Sequence, residues 1–443
     1  MQIQLSEHFN YKKLIRFTFP TIVMMIFTSI YGVVDGLFVS NVAGSEAFAS
    51  VNLIMPALMI LGSVGFMIGT GGSALVSLTL GMGDKKRANE IFSMLIYFLI
   101  GAGIVISIIG VIIMEPVAKM LGADETTLEN CVIYGRTLMI AMTPFLLQNA
   151  FQSFLVVAER PKMGLIVSVV SGVINMVLDF LFVYVFRMGV FGAALATGIS
   201  QFAGSIVPLV YFFRKNSSPL RLVKAKFNAG YLIKSCTNGS SEMLTNLSMS
   251  LVNMLYNFQL LKLAGANGVV AYGIIMYVGF IFAGTFIGYS TGVAPIVGYH
   301  YGAGNDKELK NLFKRSLVII GCSAVFLTAL AELLSGVLAG IFVSYDAGLL
   351  EMTANAIRLY VICYLVAGFN IFASSFFTAL NNGLVSALIS FLRTLVFQVV
   401  MIYLLPVFWG INGIWLAVVF AEILSLVVSV VCFIANRRKY NYI

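Results

Sequence analysis

Apolar residues in this chain come in long runs and do not alternate with polar ones. About 20 consecutive apolar residues suffice to cross a bilayer as a helix. Runs of that kind lie near residues 14–38, 48–80, 91–114, 130–157, 163–186, 190–213, 232–261, 268–299, 314–343, 353–380, 384–408 and 411–435. The second and eighth are long enough to include some loop. In hydrocarbon every backbone N–H and C=O must be bonded within its own segment, so each run predicts a helix. The expected fold is an all-α integral membrane protein with 12 transmembrane helices.

The runs repeat at an offset of 221 or 222 residues. Thr70–Asp84 (TGGSALVSLTLGMGD) aligns with Thr291–Asn305 (TGVAPIVGYHYGAGN). Gly189, Gly192 and Ala196 align with Gly410, Gly413 and Ala417, and Arg136 with Arg358. Each unit holds an even number of spans, so the second unit starts in the same orientation as the first. The repeats are therefore parallel, related by an axis along the membrane normal. The polar stretch between them divides the chain into an N-lobe over 1–213, a cytoplasmic linker over 214–230 and a C-lobe over 231–443. Two such six-helix bundles suit rocking around a central cavity.

Composition agrees: 60% of residues are hydrophobic and 10% charged, against roughly a quarter charged in soluble domains. The net charge of +9 would suggest nucleic acid if the charges were clustered, but they are sorted by side. With the N-terminus inside, 21 of the 27 basic residues fall on one side: Lys12, Lys13 and Arg16; Lys85–Arg87; Arg160 and Lys162; six between Arg214 and Lys234; Lys307, Lys310, Lys314 and Arg315; and Arg437–Lys439. The positive-inside rule then puts both termini in the cytoplasm of a multi-pass protein of the plasma (inner) membrane. No nucleic-acid partner is needed to explain the charge, and a monomer in the lipid bilayer is expected. Five scattered cysteines and two histidines offer no metal or redox spacing, so no cofactor is expected. The first apolar run is too long for a cleaved signal and contains Asp35.

The chemistry is carried by polar residues inside spans. Asp35 lies in the first run, and Asn175 and Asp179 share one face of the fifth. An ionised carboxylate in hydrocarbon costs roughly 3 kcal/mol on insertion scales, so such groups usually face a wet path. Two carboxylates held together in low dielectric cannot both ionise cheaply, so one carries a proton that it can exchange. The same oxygens at Asp35, Asn175 and Asp179 would equally hold a sodium ion, and buried structural hydrogen bonding is the remaining alternative. The acids are not duplicated: Tyr256 stands at the offset from Asp35, and Val400 or Met401 at that from Asp179. Arg393 and Glu422, mid-span in the last two helices, are expected to pair. Glu242 follows a polar run, Ser235–Ser241, and either lines the cavity or caps a helix entry.

These motifs carry a resemblance. Pro20–Ser40, with its proline and Asp35, resembles the kinked first helix of the multidrug and toxic compound extrusion (MATE) family. Arg160–Leu165, Asn175–Asp179 and Met188–Thr197 resemble that family's fifth and sixth helices. The resemblance covers essentially the whole chain. It implies a secondary active antiporter, not an enzyme, that exports amphipathic and often cationic small molecules by alternating access, driven by protons or sodium ions. Asp35, Asn175, Asp179 and Thr197 would form the ion-coupling cluster, with Pro20 as the hinge. Another branch uses an acid in the seventh helix; Met249 stands there, so coupling is expected in the N-lobe. Lipid-linked oligosaccharide flippases of the same superfamily are the alternative, though they line their cavity with basic residues. An intramembrane aspartyl protease is more remote, because the G-x-G-D sequence here, Gly81–Asp84, falls in a loop.

Overall fold

The computed structural model describes residues 3–38, 45–344 and 346–442, with the side chains of 33, 35–38 and 45 outside that description. Among the described residues every regular element is helical. In chain order these are α1 (Tyr11–Phe38), α2 (Ser45–Gly81), α3 (Lys85–Met120), α4 (Leu128–Ile140), α5 (Met142–Val157), α6 (Pro161–Asp179), α7 (Gly189–Phe213), α8 (Ala229–Gly302), α9 (Asp306–Val343), α10 (Ala347–Val361), α11 (Tyr364–Ala379), α12 (Gly383–Phe391) and α13 (Phe397–Tyr440). A π-helical turn, Phe180–Val185, extends α6, and another, Leu392–Val396, joins α12 to α13.

Eight of these segments are long and apolar enough to span a membrane, and two bent pairs, α4 with α5 at 59° and α10 with α11 at 48°, each make one more. Two of the eight are double. α8 breaks at Gly265 (φ 62°) and α13 at Gly410 (φ 54°), left-handed conformations that glycine adopts without Cβ strain. The result is the expected set of twelve spans. The second and eighth runs, however, contain no loop. Residues 71–80 are buried throughout, so the surplus turns of α2 are retained as protein interface. The bends in the fourth and tenth spans are additional to the sequence pattern. Pro144, in the first turn of α5, cannot donate to Ile140 O, which permits the first bend; the second has no proline near it.

The backbone repeats at the same offset. Left-handed φ recurs at Gly83 and Gly304, at Gly189 and Gly410, and at the non-glycine pair Glu159 and Asn381. The α3 and α9 N-caps also match: Asp84 accepts from Arg87 N at 3.0 Å and Asn305 from Glu308 N at 3.1 Å. The contact between the halves is reciprocal. Gly81 lies against Tyr299 O, and Gly302 against Leu78 O, so each residue and its counterpart exchange partners across a pseudo-two-fold axis.

Two hydrophobic cores form, one in each half, around Phe92, Phe154 and Phe212 and around Phe313, Phe376 and Trp415. The segments leading into the first and seventh spans cross between them. Leu5, Phe9, Leu14 and Phe17 join the C-terminal core, while Leu220 and Leu222 join the N-terminal one. Leu5 N donates to Glu159 Oε1 (2.8 Å), Phe9 N to Glu308 Oε1 (2.9 Å), and Asn311 Nδ2 to Phe9 O (2.9 Å). On the other side Arg221 N donates to Asn89 Oδ1 (2.6 Å) and Val223 N to Ser93 Oγ (2.8 Å). Each crossing carries a cation–π contact, Arg315 over Tyr11 and Arg87 over Tyr231.

Candidate functional site

The helix α6 has two unlike faces. Ile166, Val170, Val173 and Val177 are exposed, while Ser168, Ser171, Gly172, Asn175 and Asp179 are buried. Their three- and four-residue spacings sort them onto opposite sides. The apolar stripe therefore faces lipid, and the polar stripe faces the N-terminal bundle. Asp179 has no exposed surface and Asn175 is 1% exposed.

From α7, Thr197 Oγ1 lies 3.4 Å from Asn175 Nδ2, and Ser200 O accepts from Ser171 Oγ at 2.6 Å. From α5, Gln148 Nε2 reaches Ser171 Oγ at 3.3 Å. The Asn175 Oδ1 is buried without a hydrogen-bond partner among the described residues. From α1, Phe27 and Tyr31 close over Gly172, where a Cβ would meet the Phe27 ring at 2.6 Å. Asp35 follows Tyr31 by one turn in the same helix, and its side chain lies outside the described residues.

Three of the four sequence-named residues, Asn175, Asp179 and Thr197, thus lie on two adjoining helices, with Asn175 bonded to Thr197. Gln148, Ser171 and Ser200 extend the polar column and were not singled out from the sequence. Ser171 was readable in principle, because it precedes Asn175 by one turn on the same face. The π turn starting after Asp179 has a parallel in the C-terminal half, where the other π turn contains Arg393. π turns widen a helix locally and often mark functional positions. Here each one sits at an ionisable side chain within its span, Asp179 fully buried and Arg393 partly so.

Pro20 is buried inside α1, which continues as helix to Phe38. Its ring removes the donor to Arg16 O, so this is where α1 can bend most easily. Glu242 lies in the first half of α8, partly exposed, with the Arg393 guanidinium as its attractive charge. Arg393 Nε donates to both oxygens of Glu422, at 2.8 and 3.0 Å, so the expected pair forms. Asn370 Nδ2 also donates to Glu422 Oε2 at 2.7 Å. Among the described residues no group of three or more His, Cys, Asp or Glu side chains is placed to hold a metal.

The MatE family model matches the chain twice, over residues 20–181 and again over 243–404. The chain belongs to the MATE family. Its two matched stretches are equal in length, as a tandem repeat requires. Among curated relatives, the multidrug export protein MepA of Staphylococcus aureus (strain MRSA252) is 22% identical over 431 residues, covering 97% of this chain and 94% of the relative. MepA of Staphylococcus saprophyticus is 23% identical over 437 residues, with the same coverage. Among solved structures, a MATE protein in complex with MaL6 superimposes with a TM-score of 0.91 at 22% identity, covering 98% of this chain and 97% of that one. The outward-facing conformation of a multidrug resistance MATE family transporter of the MOP superfamily gives 0.91 at 23% identity, with the same coverage. These structural likenesses carry the MATE fold of twelve helices in two lobes. The chain is a multi-pass membrane transporter of that family.

Proposed function

We propose that this chain is a secondary active antiporter that exports amphipathic, cationic small molecules in exchange for protons or sodium ions. Transport proceeds by alternating access between the N- and C-lobes, divided by the 214–230 linker. The observation that carries the reading is the complete burial of Asp179, the one acid of α6, on a face shared with Asn175, which itself bonds Thr197 of α7. A carboxylate in low dielectric is stable only when protonated, paired or holding a cation. Exchange of that proton or ion with one side of the membrane, and then with the other, couples its gradient to lobe movement.

The asymmetry between halves supports coupling in the N-lobe. Tyr256, the counterpart of Asp35, donates to Gln398 Oε1 at 3.2 Å, so the C-lobe fills the equivalent place with a neutral bond. In this reading Pro20 is the bend that moves α1, and Glu242 attracts substrate cations in the C-lobe. The multidrug export name of the MepA relatives supports the substrate class. The sorting of basic residues supports a plasma-membrane protein with both termini cytoplasmic.

The test is dye efflux from reconstituted vesicles under an imposed pH gradient, then under a sodium gradient. Asp35→Asn and Asp179→Asn should each abolish gradient-driven efflux while the protein stays folded and inserted. Asn175→Ala should weaken efflux less, since it removes a hydrogen-bond partner and leaves the ion carrier. If both aspartate variants pump at near wild-type rates, the coupling site is elsewhere, and Glu242 becomes the next residue to test.

A further inference from the structure

Beside the start of α6 the surface opens into a groove of about 490 Å³, lined by Lys12, Ile15, Arg16, Phe19 and Pro20 of α1 and by Lys162 of α6. The α1 residues are spaced by three and four, so one face of that helix forms the wall. No acidic residue lines the groove, and among the described residues none of its three cations is in an ion pair; the neighbouring Lys13, outside it, is taken by Glu7. Two of its three apolar members are open, Ile15 being 46% and Phe19 57% exposed, while Pro20 is buried at its floor. Lys162 stands one turn before Ile166, the first residue of the exposed α6 stripe that continues through Val170 and Val177.

The groove therefore has a cationic mouth where the lipid-facing apolar surface begins, and an apolar wall running away from it. A ligand complementary to both parts has an anionic head and a hydrocarbon tail. We propose that this groove binds an anionic phospholipid from the surrounding bilayer. Lys12, Arg16 and Lys162 hold the phosphate, and an acyl chain lies along Ile15, Phe19 and the α6 stripe. Soluble phosphate would leave the apolar wall unused, and a cationic drug would be repelled at the mouth. Because the headgroup bridges α1 and α6 beside Pro20, its occupancy braces the helix at its bend point.

The test uses the full chain in neutral detergent with mixed phosphatidylcholine and phosphatidylglycerol, reading bound lipid by native mass spectrometry. Wild type should retain phosphatidylglycerol over phosphatidylcholine. The preference should fall roughly fivefold for each basic residue neutralised in Lys12→Gln, Arg16→Gln and Lys162→Gln, singly and combined. A charge-matched control, Arg437→Gln with Arg438→Gln and Lys439→Gln, should keep it. Inorganic phosphate and glycerol phosphate should not displace the lipid. Equal retention of both lipids by wild type would overturn the proposal, whatever the variants do. So would an equal loss in the control, which would mean diffuse surface attraction, or displacement by inorganic phosphate, which would mean a free-anion site. Thermal unfolding of each variant separates lost lipid from lost fold.

Discussion

Glu422 has 4% of its side chain exposed, and its carboxylate takes two bonds from Arg393 Nε and one from Asn370 Nδ2. Burying either charge alone is expensive, so the pair should behave as a unit. Arg393→Met or Glu422→Gln alone should destabilise by about 3–5 kcal/mol, and the double variant should recover much of that loss. Thermal unfolding in detergent measures it; a double variant as unstable as the worse single one would argue against pairing. Glu159, in the turn between α5 and α6, poses a different problem. Burial pushes its carboxyl above the usual 4.5, and the Glu7 charge adds to this, against the hydrogen bond from Leu5 N. A raised carboxyl contributes stability that is complete below its ordinary value and lost as pH rises through the raised one. Wild type should therefore gain stability as pH falls towards 4.5. Glu159→Gln, which keeps the acceptor without the charge, should flatten that dependence and be no less stable in neutral buffer. Glu159→Leu should lose about 1–3 kcal/mol, because Leu5 N–H is then buried without an acceptor.

Helix packing between the halves depends on glycine. Gly284, Gly288 and Gly292 form a stripe on α8 against α1, and a Cβ on Gly288 would meet Ile22 Cα at 2.5 Å and Thr21 O at 2.7 Å. On the other side of the pseudo-axis, Gly239 of α8 lies against Met67 O of α2. Gly288→Ala and Gly239→Ala should each cost about 1–3 kcal/mol by overpacking. Gly336→Ala, where nothing lies within 4 Å, should be neutral or slightly stabilising in its helix. Comparable losses at all three positions would show that the effect is not packing between the halves. This interface was only partly legible in the sequence. The spans, the repeat and the polar face of α6 follow from local spacing, which bilayer thickness and helix period constrain strongly. The Arg393–Glu422 pair was readable because a span seldom keeps a charge without a partner. The bends near Ala141 and Ile362, the π turns and the column through Gln148 and Ser200 depend on which helices meet, and a hydropathy pattern does not encode that.

At the scale of the molecule, the end bearing the basic loops is shut. Gly81 and Gly302 bring the ends of α2 and α8 together backbone to backbone, and the two crossing segments tie each half to the other's core. If transport requires the lobes to rock, this contact must part once per cycle, and the crossing segments must slide or release with it. Met82 and Ala303, exposed beside those glycines, are the handles for a test. The five native cysteines are free, so a background lacking them is needed. In it, Met82→Cys and Ala303→Cys joined by a short cleavable thiol cross-linker should arrest dye efflux, and reduction of the linker should restore it. Either single cysteine treated with the same reagent should leave efflux near that of the background. Undiminished efflux from fully cross-linked protein would mean that this end never opens, and alternating access between these lobes would then be the wrong account of the fold.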